Sequence, residues 1–282
     1  MSSALNTASG LPDLGFETVS PLRAALKSLV IQPFANYCPA PLLRGLLRIT
    51  ESRLAQSNWE DPGGWRSMVI SYDRQCTQVA DRVLVSAGTM PMALRNRKRL
   101  ASHLLARLIE QSPGPLPHVL CLGAGPGQII LQALSQASRP ARATLVDINS
   151  DAFEYGRKLA AERNLLDRVE FIQADVRDLG SYLKQPPDIV KMLGICEYLS
   201  DEQIVAIIRA VAALMPPGSA IVFNSLSQAH GMDRFFRRVF GLHMIHRSPQ
   251  EVGRLIEQGG IGEFAIHPEP LGVYHVIVGR KR

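Results

Sequence analysis

The stretch His118-Val119-Leu120-Cys121-Leu122-Gly123-Ala124-Gly125-Pro126-Gly127 runs a mostly apolar segment into three glycines at alternate positions, just ahead of a helical pattern that opens at Gln128. It reads as strand, turn, helix. Glycines at such a turn reach backbone angles closed to other residues and admit a ligand where a Cβ would stand, while the next helix offers unpaired N–H groups. The stretch therefore predicts a nucleotide-cofactor loop at the end of a β-strand in an α/β protein.

Working outward from it, short β-rich runs alternate with helical patterns from about residue 118 onward, which predicts a parallel sheet with crossover helices. Candidate strands are 119–122, 143–146, 169–172, 189–194, 220–223, 264–267 and 273–278. Asp151 with Glu154, and Ser200 with Gln203, open helices in capping-box style, and Ser248-Pro249 starts a helix that stops at Gly259-Gly260. Only Pro268-Glu269-Pro270-Leu271-Gly272 separates the last two strands, so they pair as an antiparallel hairpin. The expectation is a seven-stranded, mostly parallel sheet with an antiparallel last strand, placed as one reversed edge strand. Before residue 118 the chain reads as a loose start to about residue 20 and then helices, with alternating apolar and basic residues over 22–30 and 42–54. We therefore expect a helical N-terminal cap and substrate region over 1–112 and a cofactor-binding domain over 113–282.

The 282 residues suffice for a full core, and 46% of them are hydrophobic, as in an ordinary water-soluble domain. No apolar run nears the roughly 20 residues needed to cross a bilayer, and the start Met1-Ser2-Ser3-Ala4-Leu5-Asn6 lacks a basic segment followed by an apolar one, so a cytoplasmic protein is expected. Cys38, Cys76, Cys121 and Cys196 form no C-x-x-C pair, and buried thiols are expected. The net charge of +6 is spread along the chain and reads as a solvated basic surface, densest at Arg95-Asn96-Arg97-Lys98-Arg99 and Arg234-Phe235-Phe236-Arg237-Arg238. The 22–54 region suits packing on its own core and covering the cofactor site; contact with membrane lipid is the less favoured reading.

The loop spells G-A-G-P-G and carries Gln128 where a dinucleotide fingerprint would place a third glycine, which points to a different ligand. Asp147 ends the second strand, where its carboxylate is placed to accept both hydroxyls of a ribose. Asp175 ends the third. With these residues the chain resembles the class I S-adenosylmethionine-dependent methyltransferases over 118–282. The resemblance implies a Rossmann-like sheet and S-adenosyl-L-methionine as cofactor. It also implies that Gly123, Ala124, Gly125 and Gly127 cradle the cofactor, that Asp147 holds its ribose, and that Ile148 packs on adenine. Asp175 and Val176 would read the adenine edge. Gly194 would line the site, with Tyr72 brought over it from a helix ahead of the sheet.

One departure stands out: the family commonly has an acidic residue two positions before the first glycine, and this chain has Cys121. Beside the transferring methyl the resemblance places Leu193-Gly194-Ile195-Cys196-Glu197-Tyr198-Leu199, with Glu197 as general base or amine-orienting group and Tyr198 as a ring or hydroxyl contact. The Asn/Asp-Pro-Pro-Tyr/Phe motif of many base-modifying relatives is missing, so nucleic acid is not expected as partner. His243-x-x-His246 lacks a carboxylate cluster, and no metal is expected. The reading is methyl transfer to a small-molecule acceptor, enclosed by the cap and the 224–247 segment. Its alternatives are attack on the aminocarboxypropyl arm, as in nicotianamine-synthase-like transfer or cyclisation to azetidine-2-carboxylate with release of methylthioadenosine, and a non-catalytic cofactor-binding protein. The oligomeric state is left open.

Overall fold

The computed structural model describes residues 12–74 and 76–282. The expectations for Met1 to Asn6, and for most of the loose start, lie outside the described residues. Seven strands form one sheet: β1 (His118–Leu122), β2 (Arg142–Asp147), β3 (Val169–Gln173), β4 (Ile189–Met192), β5 (Ala220–Leu226), β6 (Glu263–Pro268) and β7 (Tyr274–Arg280). Their order is β3-β2-β1-β4-β5-β7-β6. β1 pairs parallel with β2 and β4, and β7 pairs antiparallel with both β5 and β6. The reversed strand is thus β7, as expected, but it lies inside the sheet and β6 takes the edge. A hairpin can insert either arm beside its neighbour, and here the fully buried β5 takes the arm with the more buried pattern.

Every residue of β1 is buried, because parallel strands are covered on both faces by crossover helices. One face packs on the Thr89–Gln111 and Gln128–Gln136 helices through Leu100, Leu104, Leu105 and Ile130. The other packs on the Asp201–Leu214 and Pro249–Gln258 helices through Ile204, Ile208, Leu255 and Ile256. Both of those helices begin with a complete capping box, Ser200 with Gln203 and Ser248 with Glu251. The box expected at Asp151 and Glu154 does not form; the Asn149 side chain instead accepts from the Asp151 N–H at 3.0 Å. The Thr89–Gln111 helix, read as part of the cap, supplies much of the sheet's own core.

Ahead of it, Pro21–Leu26, Lys27–Ile31 and Gln32–Tyr37 run on with a π-helical turn in the middle. The helix read over 42–54 is two: Ala40–Ile49 and Arg53–Glu60, broken at Glu51, whose φ is +50°. These helices pack on Phe235, Val239 and Phe240 from the long segment after β5. Arg44, Trp59 and Arg238 tie the two segments through backbone carbonyls. No described helix is long and apolar enough to cross a membrane.

Candidate active site

At the C-terminal end of β1 the chain turns on three left-handed glycines, with φ of +60° at Gly123, +53° at Gly125 and +77° at Gly127. Gly123 and Gly127 are packed as well: a Cβ would stand 2.1 Å from Ile195 and 2.3 Å from Leu145 respectively. Gly125 is open, with Trp65 at 3.6 Å the nearest atom to such a Cβ, so its backbone faces free space. The loop is held from β2. Asp147 accepts from the Gly125 N–H at 2.7 Å through one carboxylate oxygen and from the Asn149 N–H at 2.9 Å through the other. Each oxygen keeps a lone pair for a further donor.

This loop floors a cavity of about 350 Å³, within the size range of small-ligand sites. Its walls are the end of β2 (Asp147, Ile148, Asn149), the end of β4 with the following turn (Lys191, Leu193, Gly194, Ile195, Tyr198), and Arg97. The roof is Asp61 to Gly64 and the Trp65–Asp73 helix, through Trp65, Met68 and Tyr72. Of the residues read from the sequence, Tyr72, Gly123, Ala124, Gly125, Asp147, Ile148, Gly194 and Tyr198 line the cavity. Gly127 shapes the turn from behind it. Asp175 and Val176 are not on its wall: the Asp175 carboxylate is bound by Arg177, which holds its pKa down to about 2, and Val176 is half-buried against the core.

Glu197 also departs from expectation. It is buried behind the wall, 3.4 Å from the Arg97 guanidinium, and accepts from the Asn224 side chain at 2.9 Å. A carboxylate so placed holds Arg97 and is not itself on the cavity wall. Arg97 is itself 2% exposed, bonds the Tyr72 hydroxyl at 3.2 Å and stacks 4.4 Å from the Tyr274 ring. Burial opposes its charge, yet Tyr72, Tyr274 and Glu197 keep the guanidinium firmly protonated. The Tyr198 hydroxyl is tucked against Gly63, where a Cβ would meet it, and burial beside Glu197 pushes its pKa well above the usual range. It stays protonated at neutral pH and can donate, not serve as a base.

The run Arg95 to Arg99, read as solvated surface, is largely interior: Arg95, Asn96 and Arg97 are buried. Arg95 forks onto Glu17 at 2.7 and 2.8 Å, so the charges serve packing of the chain start on the helix. Arg234 and Arg238 likewise donate to the Asn36 carbonyl. Of the two histidines singled out, His246 partners His230, at 3.2 Å, and His243 is exposed. Cys121 and Cys196 are buried and Cys38 and Cys76 half-buried. Burial pushes the Cys121 thiol up to about 12, so no negative charge stands where the family commonly has one.

Sequence reasoning missed Asp61, Trp65, Arg97 and Lys191 on the wall. Only Lys191 carried a signal, as a charge inside the apolar strand Ile189-Val190-Lys191-Met192. Around the cavity, buried polar atoms await partners: Trp65 Nε1 and Gln128 Oε1 bond to nothing described. A ligand with both donors and acceptors fits them, as does a glycine loop open at Gly125 beside a strand-end carboxylate.

Fold and site together define an α/β protein built to hold a nucleoside-bearing ligand. Residues 119–218 match the methyltransferase domain family, and S-adenosylmethionine, the cofactor of such domains, suits this cavity. The tRNA 5-carboxymethoxyuridine methyltransferase of Escherichia coli (strain K12) is 25% identical over 125 residues, which are 44% of this chain and 45% of that protein. The match thus spans about half the length of that curated relative. Among solved structures, a possible exported protein from Bordetella parapertussis superimposes with a TM-score of 0.69 at 17% identity over 94% of this chain and 99% of that one. Magnesium protoporphyrin IX methyltransferase from Synechocystis PCC 6803 gives 0.58 at 12% identity, over 85% and 99%. These two share the fold.

Proposed function

We propose that the protein transfers a methyl group from S-adenosylmethionine to a small-molecule acceptor. The observation that carries this is the cavity itself: a floor of left-handed glycines stapled by Asp147 under a roof of Trp65, Met68 and Tyr72, of a size suited to the cofactor and a small acceptor beside it. Asp147 would hold the ribose, with Ile148 against the adenine. Gly125 would let the chain approach the ligand, and Trp65, Met68 and Tyr72 would exclude water. The cofactor supplies a methyl carbon on a cationic sulfur; an acceptor lone pair displaces it in line, and the C–S bonding electrons remain on sulfur. An O–H or N–H acceptor must also lose a proton. Asp61, on the wall with no hydrogen bond to its carboxylate, is placed to take it, and Tyr198 to donate to the acceptor.

The test is mass analysis of the nucleoside formed from S-adenosylmethionine with purified protein and a small-molecule extract, or with tRNA. S-Adenosylhomocysteine with a methylated small molecule supports the reading. Methylthioadenosine would mean attack on the aminocarboxypropyl arm instead, a chemistry that the uncharged Cys121 position makes worth measuring. Methylation of tRNA alone would overturn the small-molecule assignment.

A lipid surface as the place of work is favoured by one feature. Leu22, Leu29, Phe34, Tyr37, Leu42 and Ile49 are all strongly exposed on the N-terminal helices, and residues 18–50 hold four cations and no acid. Co-sedimentation with phosphatidylglycerol vesicles, lost in Leu29→Glu with Phe34→Glu, is the expected result. Equal recovery with phosphatidylglycerol vesicles and with none would remove this reading.

A further inference from the structure

Lys191 has a position that the methyltransferase reading leaves unused. It is the third residue of β4 and only 4% exposed, yet it lines the cavity, so its apolar stem crosses the core and its ammonium ends at the wall. Its Nζ makes no hydrogen bond and no ion pair with any described residue. The other cation on that wall, Arg97, is compensated by Glu197 at 3.4 Å. Asp147 on the same wall favours the charged form of Lys191 without bonding it, and an ammonium with so little access to water is costly unless something anionic meets it.

The register sharpens the point. Lys191 sits directly beside Cys121 on the neighbouring strand. The position where relatives carry a carboxylate is therefore a neutral thiol, and its cross-strand neighbour is a cation: the charge of this corner is inverted. The cavity runs from Asp147 on β2, over the glycine loop after β1, to Lys191 on β4. A cofactor with its ribose at Asp147 extends its amino-acid arm toward β4. That arm ends in a carboxylate, the one anionic group on the molecule.

We propose that Lys191 binds the methionine carboxylate of the cofactor, so that this chain holds the amino-acid arm by its negative end. The inference rests on the cofactor reading above. The arm's ammonium has no carboxylate at position 121 to meet; Gln128, whose Oε1 is buried without a partner on the same wall, is its acceptor. Burial, with Arg97 nearby, pulls the Lys191 pKa down from its ordinary value, and a bound carboxylate restores the charged form.

The experiment is isothermal titration of the wild type, Lys191→Met and Lys191→Arg with three probes: S-adenosylhomocysteine, its decarboxylated analogue, and methylthioadenosine, which lacks the amino-acid arm. Wild type is expected to prefer S-adenosylhomocysteine over the decarboxylated analogue by a factor of about ten to a hundred, the size of one charge-assisted hydrogen bond. Lys191→Met should erase that preference while leaving the analogue's Kd within about threefold, and Lys191→Arg should keep part of it. Lys191→Met should also melt no lower than wild type, because a buried unpaired charge is removed. Equal weakening of all three probes by Lys191→Met, or an unchanged preference, overturns the assignment while the cofactor reading stands. Failure of the wild type to bind any probe overturns both.

Discussion

Arg97 shows how far a residue's letter is from its role. In the sequence it belongs to a run of cations that reads as surface; in the fold it is interior, because the helix carrying it is covered by the sheet on one side and the N-terminal helices on the other. Its pair with Glu197 predicts an asymmetry. Arg97→Met alone leaves Glu197 buried without a countercharge and should cost about 3–5 kcal/mol. Adding Glu197→Gln should recover a large part, as read from urea unfolding midpoints; a double variant no more stable than the single would contradict the pairing. The glycine loop was legible because its φ requirements leave a mark that no other residue type can make. Gly127→Ala should lower the melting temperature more than Gly125→Ala, since its Cβ meets Leu145 at 2.3 Å while that of Gly125 meets nothing closer than 3.6 Å. What the sequence does not show for Glu197 and Asp175 is the partner that claims each charge, Arg97 and Arg177.

At the scale of elements, strands and capped helices were legible and their neighbours were not. All seven strands stand close to where β-rich runs and turn residues put them, and the box read at Ser200 forms, while the helix read from Ser248-Pro249 begins with a box that was not read. Ser200→Ala should cost about 1 kcal/mol in thermal or urea unfolding, through loss of the cap alone. The position of β7 inside the sheet was not legible, because a hairpin's sequence fixes pairing of its arms and not which arm meets the sheet. Nor was the roof. The Trp65–Asp73 helix has an ordinary amphipathic pattern, and only its docking over Gly125, with Asp73 bonded to Gln128 and Tyr155 at 3.0 Å each, makes it part of the site.

For the whole molecule, acid is the condition that tests the packing of the long segment after β5 on the N-terminal helices. His230 is fully buried there; burial and the neighbouring His246 lower its pKa to about 4. The unfolded chain then binds the proton more readily, so the stability this group contributes is complete above about pH 6.5 and is lost as pH falls toward 4. The loss amounts to about 3 kcal/mol. His230→Gln should flatten the decline in urea midpoints between pH 7 and 4.5 relative to wild type, and a parallel decline would contradict the assignment.

The central claim, that the stapled glycine loop holds S-adenosylmethionine, is tested most directly by calorimetric titration of S-adenosylhomocysteine into wild type and Asp147→Ala. We predict saturable one-to-one binding to the wild type and a loss of at least about tenfold in the variant, the worth of about 1.4 kcal/mol. No binding to the wild type, or equal Kd in the two proteins, would contradict it.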